Sequence, residues 1–291
     1  MSKISYGILA SGGLGALCTE KLLQLNKVNF VLTDKGSDKI IELCKTKKIP
    51  MFIGNPRNGK TNDFLNQFST DIILSINYLF IVEEDIIRHP NKYAINFHGS
   101  LLPKYRGRTP HVWAIINNET ETGITAHLMS KDCDEGDIVY QEKILIGEES
   151  TGAEILSKFN SKYPLIIEKI VSLIENDTIR TIKQDHTKAT YFGKRTPEDG
   201  LINWNWQKER INNWVRAQAD PYPGAFTFYK GEKVIIHKIK YSNKGFNYND
   251  PNGTILEIKN EIIIKTSNGA ISLINYRKPD DLHFKIGDKL S

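Results

Sequence analysis

Ile4-Ser5-Tyr6-Gly7-Ile8-Leu9-Ala10-Ser11-Gly12-Gly13-Leu14-Gly15 opens the chain and decides its fold. Residues 4–9 read as a short apolar strand. A glycine turn follows, and then a helical pattern that runs to Leu25. A strand this short and apolar, fed straight into a helix, suits the interior of a sheet covered on its faces. Outward from it, residues 28–32 give a second strand, 34–37 a turn and 38–47 a helix. Residues 50–53, 72–74 and 94–97 are further strands, with helical stretches at 61–68 and 83–88. Strands alternating with helices predict an α/β fold with a Rossmann-like parallel sheet. In such sheets ligands bind beyond the carboxyl ends of the strands.

Residues 153–176 read as a long helix with an apolar stripe, and residues 190–200 are punctuated like a connection. The pattern then changes to short strands at 226–229, 234–241, 254–258, 261–266 and 270–275, most of them separated by Gly or Asn turns. This predicts a smaller C-terminal β-rich, OB-like domain. The expected division is 1–190 and 191–291.

The 291 residues are 40% hydrophobic and 25% charged, with 21 Gly and 11 Pro, which excludes collagen-like and wholly disordered chains. A net charge of +5 suits an anionic partner, nucleotide phosphate or nucleic acid, without choosing between them. The three cysteines (Cys18, Cys44, Cys133) form no CxxC pair, so a disulfide framework is not expected and a reducing compartment is. The N-terminal residues lack a signal-peptide pattern. The most apolar run, residues 72–82, falls short of the ~20 residues that span a bilayer. The expectation is a cytoplasmic protein without a membrane partner.

The glycine turn fails the G-x-G-x-x-G spacing of a dinucleotide site, although Asp34 falls near the acidic position. Two readings stay open: approach of another anionic ligand to a helix N-terminus, or a tight packing turn. The segment Asn96-Phe97-His98-Gly99-Ser100-Leu101-Leu102-Pro103-Lys104-Tyr105-Arg106-Gly107-Arg108 is richer in chemistry. Strand alternation puts Asn96 and His98 on one face. An imidazole there can move a proton near neutral pH, and an amide can stabilise an oxyanion. The acidic cluster Asp132-Cys133-Asp134-Glu135-Gly136-Asp137 reads as a solvated turn or as the source of a carboxylate that holds the histidine in one tautomer and raises its pKa. Spacing does not say which aspartate faces inward. The seven histidines show no H-x-x-x-H pair, so no metal is expected. His111, His127 and His237 read as packing or surface residues. Trp204, Trp206 and Trp214 read as packing where the two domains join.

Asn96-x-His98 with Ser100-Leu101-Leu102-Pro103-x-x-Arg106-Gly107 resembles the signature of the folate-dependent formyltransferases. So does Glu121-Thr122-Gly123-Ile124-Thr125 leading into Asp134-x-Gly136-Asp137. Phe192-Gly193-Lys194-Arg195-Thr196-Pro197-Glu198-Asp199 and the run from Val215 to Phe226 resemble the sugar N-formyltransferases of the UDP-4-amino-arabinose type. The resemblance implies a one-carbon transferase in which Asn96, His98 and Asp134 are catalytic. It implies N10-formyltetrahydrofolate as co-substrate, contacted by Phe80, Ile81, Val82, Arg108 and the run Ser130, Lys131, Asp132, Cys133, Asp134. The acceptor it implies is a nucleotide-linked amino sugar. The first choice is dTDP-4-amino-4,6-dideoxyglucose for O-antigen and lipopolysaccharide synthesis, and UDP-4-amino-arabinose and methionyl-tRNA are the alternatives. The short turn after residue 32 carries no basic insertion, which argues against a nucleic-acid acceptor. Ser11, Gly12, Gly13 and Tyr222 are the expected sugar-nucleotide contacts, and a homodimer is one arrangement the resemblance allows.

Overall fold

The computed structural model describes residues 4–25 and 27–291. The elements run β1 (Ser5–Ala10), α1 (Gly12–Leu25), β2 (Lys27–Thr33), α2 (Asp38–Lys47), β3 (Met51–Ile53), α3 (Asn62–Leu65), β4 (Ile72–Ile76), α4 (Glu84–Ile87), β5 (Tyr93–His98) and β6 (Arg106–Gly107). They continue with α5 (Pro110–Ile116), β7 (Glu121–Leu128), β8 (Ile138–Leu145), α6 (Gly152–Glu175), β9 (Tyr191–Phe192) and α7 (Lys208–Ala217). The last five strands are β10 (Ala225–Tyr229), β11 (Glu232–Ser242), β12 (Ile255–Ile258), β13 (Ile262–Thr266) and β14 (Gly269–Arg277).

The chain forms two compact units. The first holds Met1–Gly107, Gly123–Ile144 and Lys158–Phe192, and the second Arg108–Thr122, Leu145–Ser157 and Gly193–Ser291. The large sheet has seven strands in the order β3-β2-β1-β4-β5-β7-β8. Every residue of β1 and β4 is buried, as expected for central strands covered on both faces. The pairs from β3 through β5 are parallel, but β7 runs antiparallel to β5, placing Asn96 beside His127 and His98 beside Thr125. The sheet is therefore dominated by parallel pairs rather than uniformly parallel. On α6 the buried residues Phe159, Tyr163, Ile166, Ile167, Ile170, Val171 and Ile174 recur at helical spacing, the apolar stripe read from the sequence.

The second unit carries a five-stranded antiparallel sheet, β10-β11-β14-β13-β12. In β11 the buried face passes from Val234 and Ile236 to Ile239, because the pairing register shifts around Lys238. The tryptophans pack against partners within this unit. Trp204 Nε1 donates to Thr227 Oγ1 at 2.9 Å, the rings of Trp206 and Trp214 are 4.8 Å apart, and the Arg195 guanidinium lies over Trp113 and Trp214. Among the described residues no helix is long and apolar enough to cross a membrane.

Candidate active site

Asn96 and His98 are alternate residues of β5, so the pleat turns both to one face of the sheet. Asp134 reaches them from the connection between β7 and β8, on a backbone with φ of 60°. Its Oδ1 lies 3.4 Å from His98 Nδ1, 3.5 Å from Asn96 Nδ2 and 3.6 Å from His127 Nε2. The Gly107 N–H donates to its other oxygen at 2.9 Å. Of the three aspartates in that turn, Asp134 is the one that meets the histidine. Lys131, Asp132 and Cys133 are exposed, and Ser130 Oγ closes the turn by donating to the Asp132 carbonyl at 2.9 Å.

His98 is buried, and its Nε2 lies 2.7 Å from the Tyr105 carbonyl oxygen. A carbonyl only accepts, so Nε2 carries the proton of the neutral ring. Nδ1 is then the bare nitrogen, and it faces Asp134. Tyr105, not the carboxylate, therefore sets the tautomer. Burial lowers the His98 pKa below its ordinary value, outweighing the attraction of Asp134 in the other direction. Burial also pushes the Asp134 carboxyl up, but the positive charge His98 carries when protonated, together with the Gly107 N–H, holds it well below the usual carboxylate range. At neutral pH the pair is a neutral imidazole beside an ionised carboxylate.

The sequence reads His127 as a packing or surface residue, yet it belongs to this cluster. Its Nδ1 lies 2.8 Å from the Leu128 carbonyl and is protonated there, which leaves Nε2 to accept from Asn96 Nδ2 at 3.1 Å. The signal that would have found it is the register of β5 against β7, which places it directly beside Asn96.

The remaining expected contacts are placed as follows. Phe80, Ile81 and Val82 lie in the segment after β4. Val82 packs on the core around Leu9, Phe30 and Ile73, the Phe80 ring meets Tyr78 edge-on at 5.6 Å, and Ile81 is 49% exposed. Arg108 is exposed and is the first residue of the second unit. Ser11 is buried, its hydroxyl accepting from the Leu79 N–H at 3.1 Å, and the Gly12 N–H donates to Ser37 Oγ at 2.8 Å. Ser37 in turn donates to Asp34 at 2.6 Å, so this turn is tied by its own chain and has a carboxylate nearby. Gly13 is exposed, with open space where a Cβ would stand. Tyr222 lies in the second unit, its hydroxyl 2.6 Å from His111 Nε2. Burial pushes that phenol up to about 12 and His111 down to about 4. Among the described residues no group of three or more His, Cys, Asp or Glu could hold a metal ion.

Residues 21–171 match the family model described as formyl transferase, and residues 194–286 match formyl transferase, C-terminal domain. The chain is 36% identical over 282 residues to the bifunctional polymyxin resistance protein ArnA of Wigglesworthia glossinidia brevipalpis. That alignment takes in 94% of this chain but only 42% of the relative, so the chain spans less than half of that protein. Among solved structures, WlaRD, a sugar 3N-formyl transferase crystallised with dTDP and 5-N-formyl-THF, superposes with a TM-score of 0.69 at 20% identity. It covers 97% of this chain and 100% of that one. The N-formyltransferase of Helicobacter canadensis, in complex with folinic acid and dTDP-3-aminofucose, gives 0.70 at 21%, covering 96% and 100%. Methionyl-tRNA formyltransferase from Clostridium thermocellum gives 0.58 at 20%, covering 83% and 95%. These likenesses show a shared fold.

Proposed function

As the chain belongs to the formyl transferase family, we propose that it transfers a formyl group from N10-formyltetrahydrofolate to the amine of a nucleotide-linked amino sugar. The observation that carries this reading is the convergence on Asp134 of His98, with Nδ1 bare, and Asn96. The co-substrate supplies the formyl carbon. The residues present fit it: Leu79 and Ile81 are 44% and 49% exposed in an apolar segment that follows a buried strand and offers a flat ring a surface to lie on. The exposed residues Lys131 to Cys133 are the proposed contacts for a ring edge.

His98 Nδ1 takes the proton of the attacking amine, and Asp134 stabilises the imidazolium so formed. Asn96 keeps one N–H on His127. Its other N–H, only loosely held by Asp134 at 3.5 Å, turns to the formyl oxygen as negative charge develops there. His98 then returns its proton toward the departing folate nitrogen, which closes the cycle.

For the acceptor we propose a dTDP-linked amino sugar, with dTDP-4-amino-4,6-dideoxyglucose tested first. Two structural neighbours were crystallised with dTDP or a dTDP-amino sugar, which supports the nucleotide. UDP-4-amino-arabinose is the second reading, favoured by the motifs at residues 192–199 and 215–226. The turn between β2 and α2 is short, which speaks against a tRNA acceptor. Exposed Gly13 remains a proposed sugar-nucleotide contact.

The test is mass spectrometry of reactions containing N10-formyltetrahydrofolate and a panel of acceptors. The panel holds the two sugars above, a dTDP-linked 3-amino isomer, a GDP-linked 4-amino sugar and methionyl-tRNA. A formyl-sized gain on a sugar nucleotide is expected, and gain on the tRNA alone would refute the acceptor class.

A further inference from the structure

Asp134 is held from two directions by adjacent residues of one short strand. Gly107 secures its side chain, as described. Arg106 secures its backbone through Gln184. The Gln184 Nε2 donates to the carbonyl oxygens of Asp134 at 2.8 Å and Gly136 at 2.7 Å, while its Oε1 accepts from Arg106 Nη2 at 2.8 Å and Nε at 3.3 Å. Both side chains are sealed from water, Arg106 at 0% and Gln184 at 5% exposure. The other donors of the guanidinium are also used. Nη1 reaches Glu135 at 2.8 Å and the Tyr191 hydroxyl, and Nη2 lies 3.2 Å from His186 Nδ1. A buried guanidinium with every donor satisfied is a rigid support.

The backbone it supports is unusual. Asp134 has a positive φ, a region few side-chain-bearing residues adopt without surrounding contacts. Two residues on, a Cβ at Gly136 would stand 1.8 Å from the Leu128 carbonyl oxygen, so the turn is pressed against β7. Nothing in the packing of apolar side chains requires an amide at position 184 with both N–H groups on these two carbonyls.

We infer that Gln184, clamped by Arg106, is a positioning residue that sets where the Asp134 carboxylate sits against His98 Nδ1. This rests on the reading of His98 and Asp134 given above, and it adds to that reading a pair of side chains which never meet the substrate. The consequence is a specific pattern of loss. A group that acts only through Asp134 matters only while Asp134 carries its charge.

Gln184→Glu keeps the oxygen that Arg106 grips and replaces the donors with an oxygen facing two carbonyls. Gln184→Met, close in volume and without donors, is the second variant should the first melt below the assay temperature. With the full chain and the acceptor found for the wild type, kcat is expected to fall ~10²-fold, since misplacement by about 1 Å is enough for that. KM for either substrate is expected to change by less than about threefold. In an Asp134→Asn background the same substitution is expected to cost less than about threefold, because both changes remove the same interaction. Losses that multiply in the double variant would overturn the inference. A second readout is independent of turnover. The imidazole NMR signals of His98 are expected to move in Gln184→Glu in the same sense as in Asp134→Asn, and unmoved signals would also overturn it. If the wild type formylates no acceptor, the functional reading fails, and the His98 signals decide the positioning claim by themselves.

Discussion

Replacing Asp134 by Asn removes a charge while keeping the shape of the turn. Asn tolerates positive φ as well as Asp does, and its amide oxygen can still accept from the Gly107 N–H. The charge it removes stands 3.4 Å from His98 Nδ1, the atom that gains a proton in the proposed reaction. At an effective dielectric of ~20 the attraction between an imidazolium and a carboxylate at this distance is about 5 kcal/mol. The dipole of the new amide recovers part of that, so kcat is expected to fall by roughly 10²- to 10⁴-fold. The acid limb of the pH profile gives the sign. Asp134 pulls the His98 pKa up against a larger effect of burial. Without the carboxylate the pKa drops further, so the acid limb of kcat/KM moves to lower pH while the plateau falls. The assay is formyl transfer followed by mass spectrometry across pH, with the melting temperature measured alongside to confirm folding. A folded variant that loses less than about tenfold in kcat would show that the carboxylate does not stabilise a developing imidazolium.

His89, His98 and His111 all have pKa values lowered by burial, His111 to about 4. Each is neutral in the fold and must be charged in the unfolded chain at acid pH, so stability is expected to fall as pH drops below ~6.5 and to go on falling toward the lowered values. His111 by itself contributes up to about 3 kcal/mol of that loss. Denaturant midpoints measured between neutral and acid pH check the slope, and a flat profile would refute it. Gly136→Ala sets a methyl group 1.8 Å from the Leu128 carbonyl oxygen, so the Asp134 turn must shift. Turnover is expected to fall by ~10²-fold even in a preparation that still melts cooperatively. Ile81→Ser removes exposed apolar area from the proposed folate surface. Its KM for N10-formyltetrahydrofolate is expected to rise by about tenfold with little change in kcat, as for lost uniform binding. A fall in kcat at constant KM would move the folate ring elsewhere.

Much of the fold was legible because it rests on local patterns. The apolar runs around β1, β2 and β4, the glycine turn before α1, the stripe along α6 and the turn-bounded strands of the second unit each announce themselves within ten to twenty-five residues. The elements read least well were those whose apolar residues do not recur cleanly. Thus α3 is only Asn62–Leu65, where the sequence predicts eight residues, and Phe64 and Phe68 pack as rings around Phe30 instead. The helix α7, whose polar face includes Lys208, Glu209 and Asn212, and the strand β8, with the successive residues Val139 to Glu142 all half-buried, gave no pattern strong enough to read.

By itself the sequence determined the α/β class, the β-rich second part and the pairing of Asn96 with His98, because a strand's pleat fixes which neighbours share a face. The tertiary structure decided which aspartate joins them, since only the reversal of β7 against β5 and the positive φ at Asp134 turn that carboxylate inward while Asp132 stays in solvent. It brought in His127 by cross-strand register, and it set the His98 tautomer through the Tyr105 carbonyl, seven residues away in the chain. Gln184 lies fifty residues from Asp134 and was invisible to any local reading. Covalent sequence carries periodicity along one strand or helix. The protonation and placement of the proposed catalytic pair depend on hydrogen bonds between segments that only folding brings together.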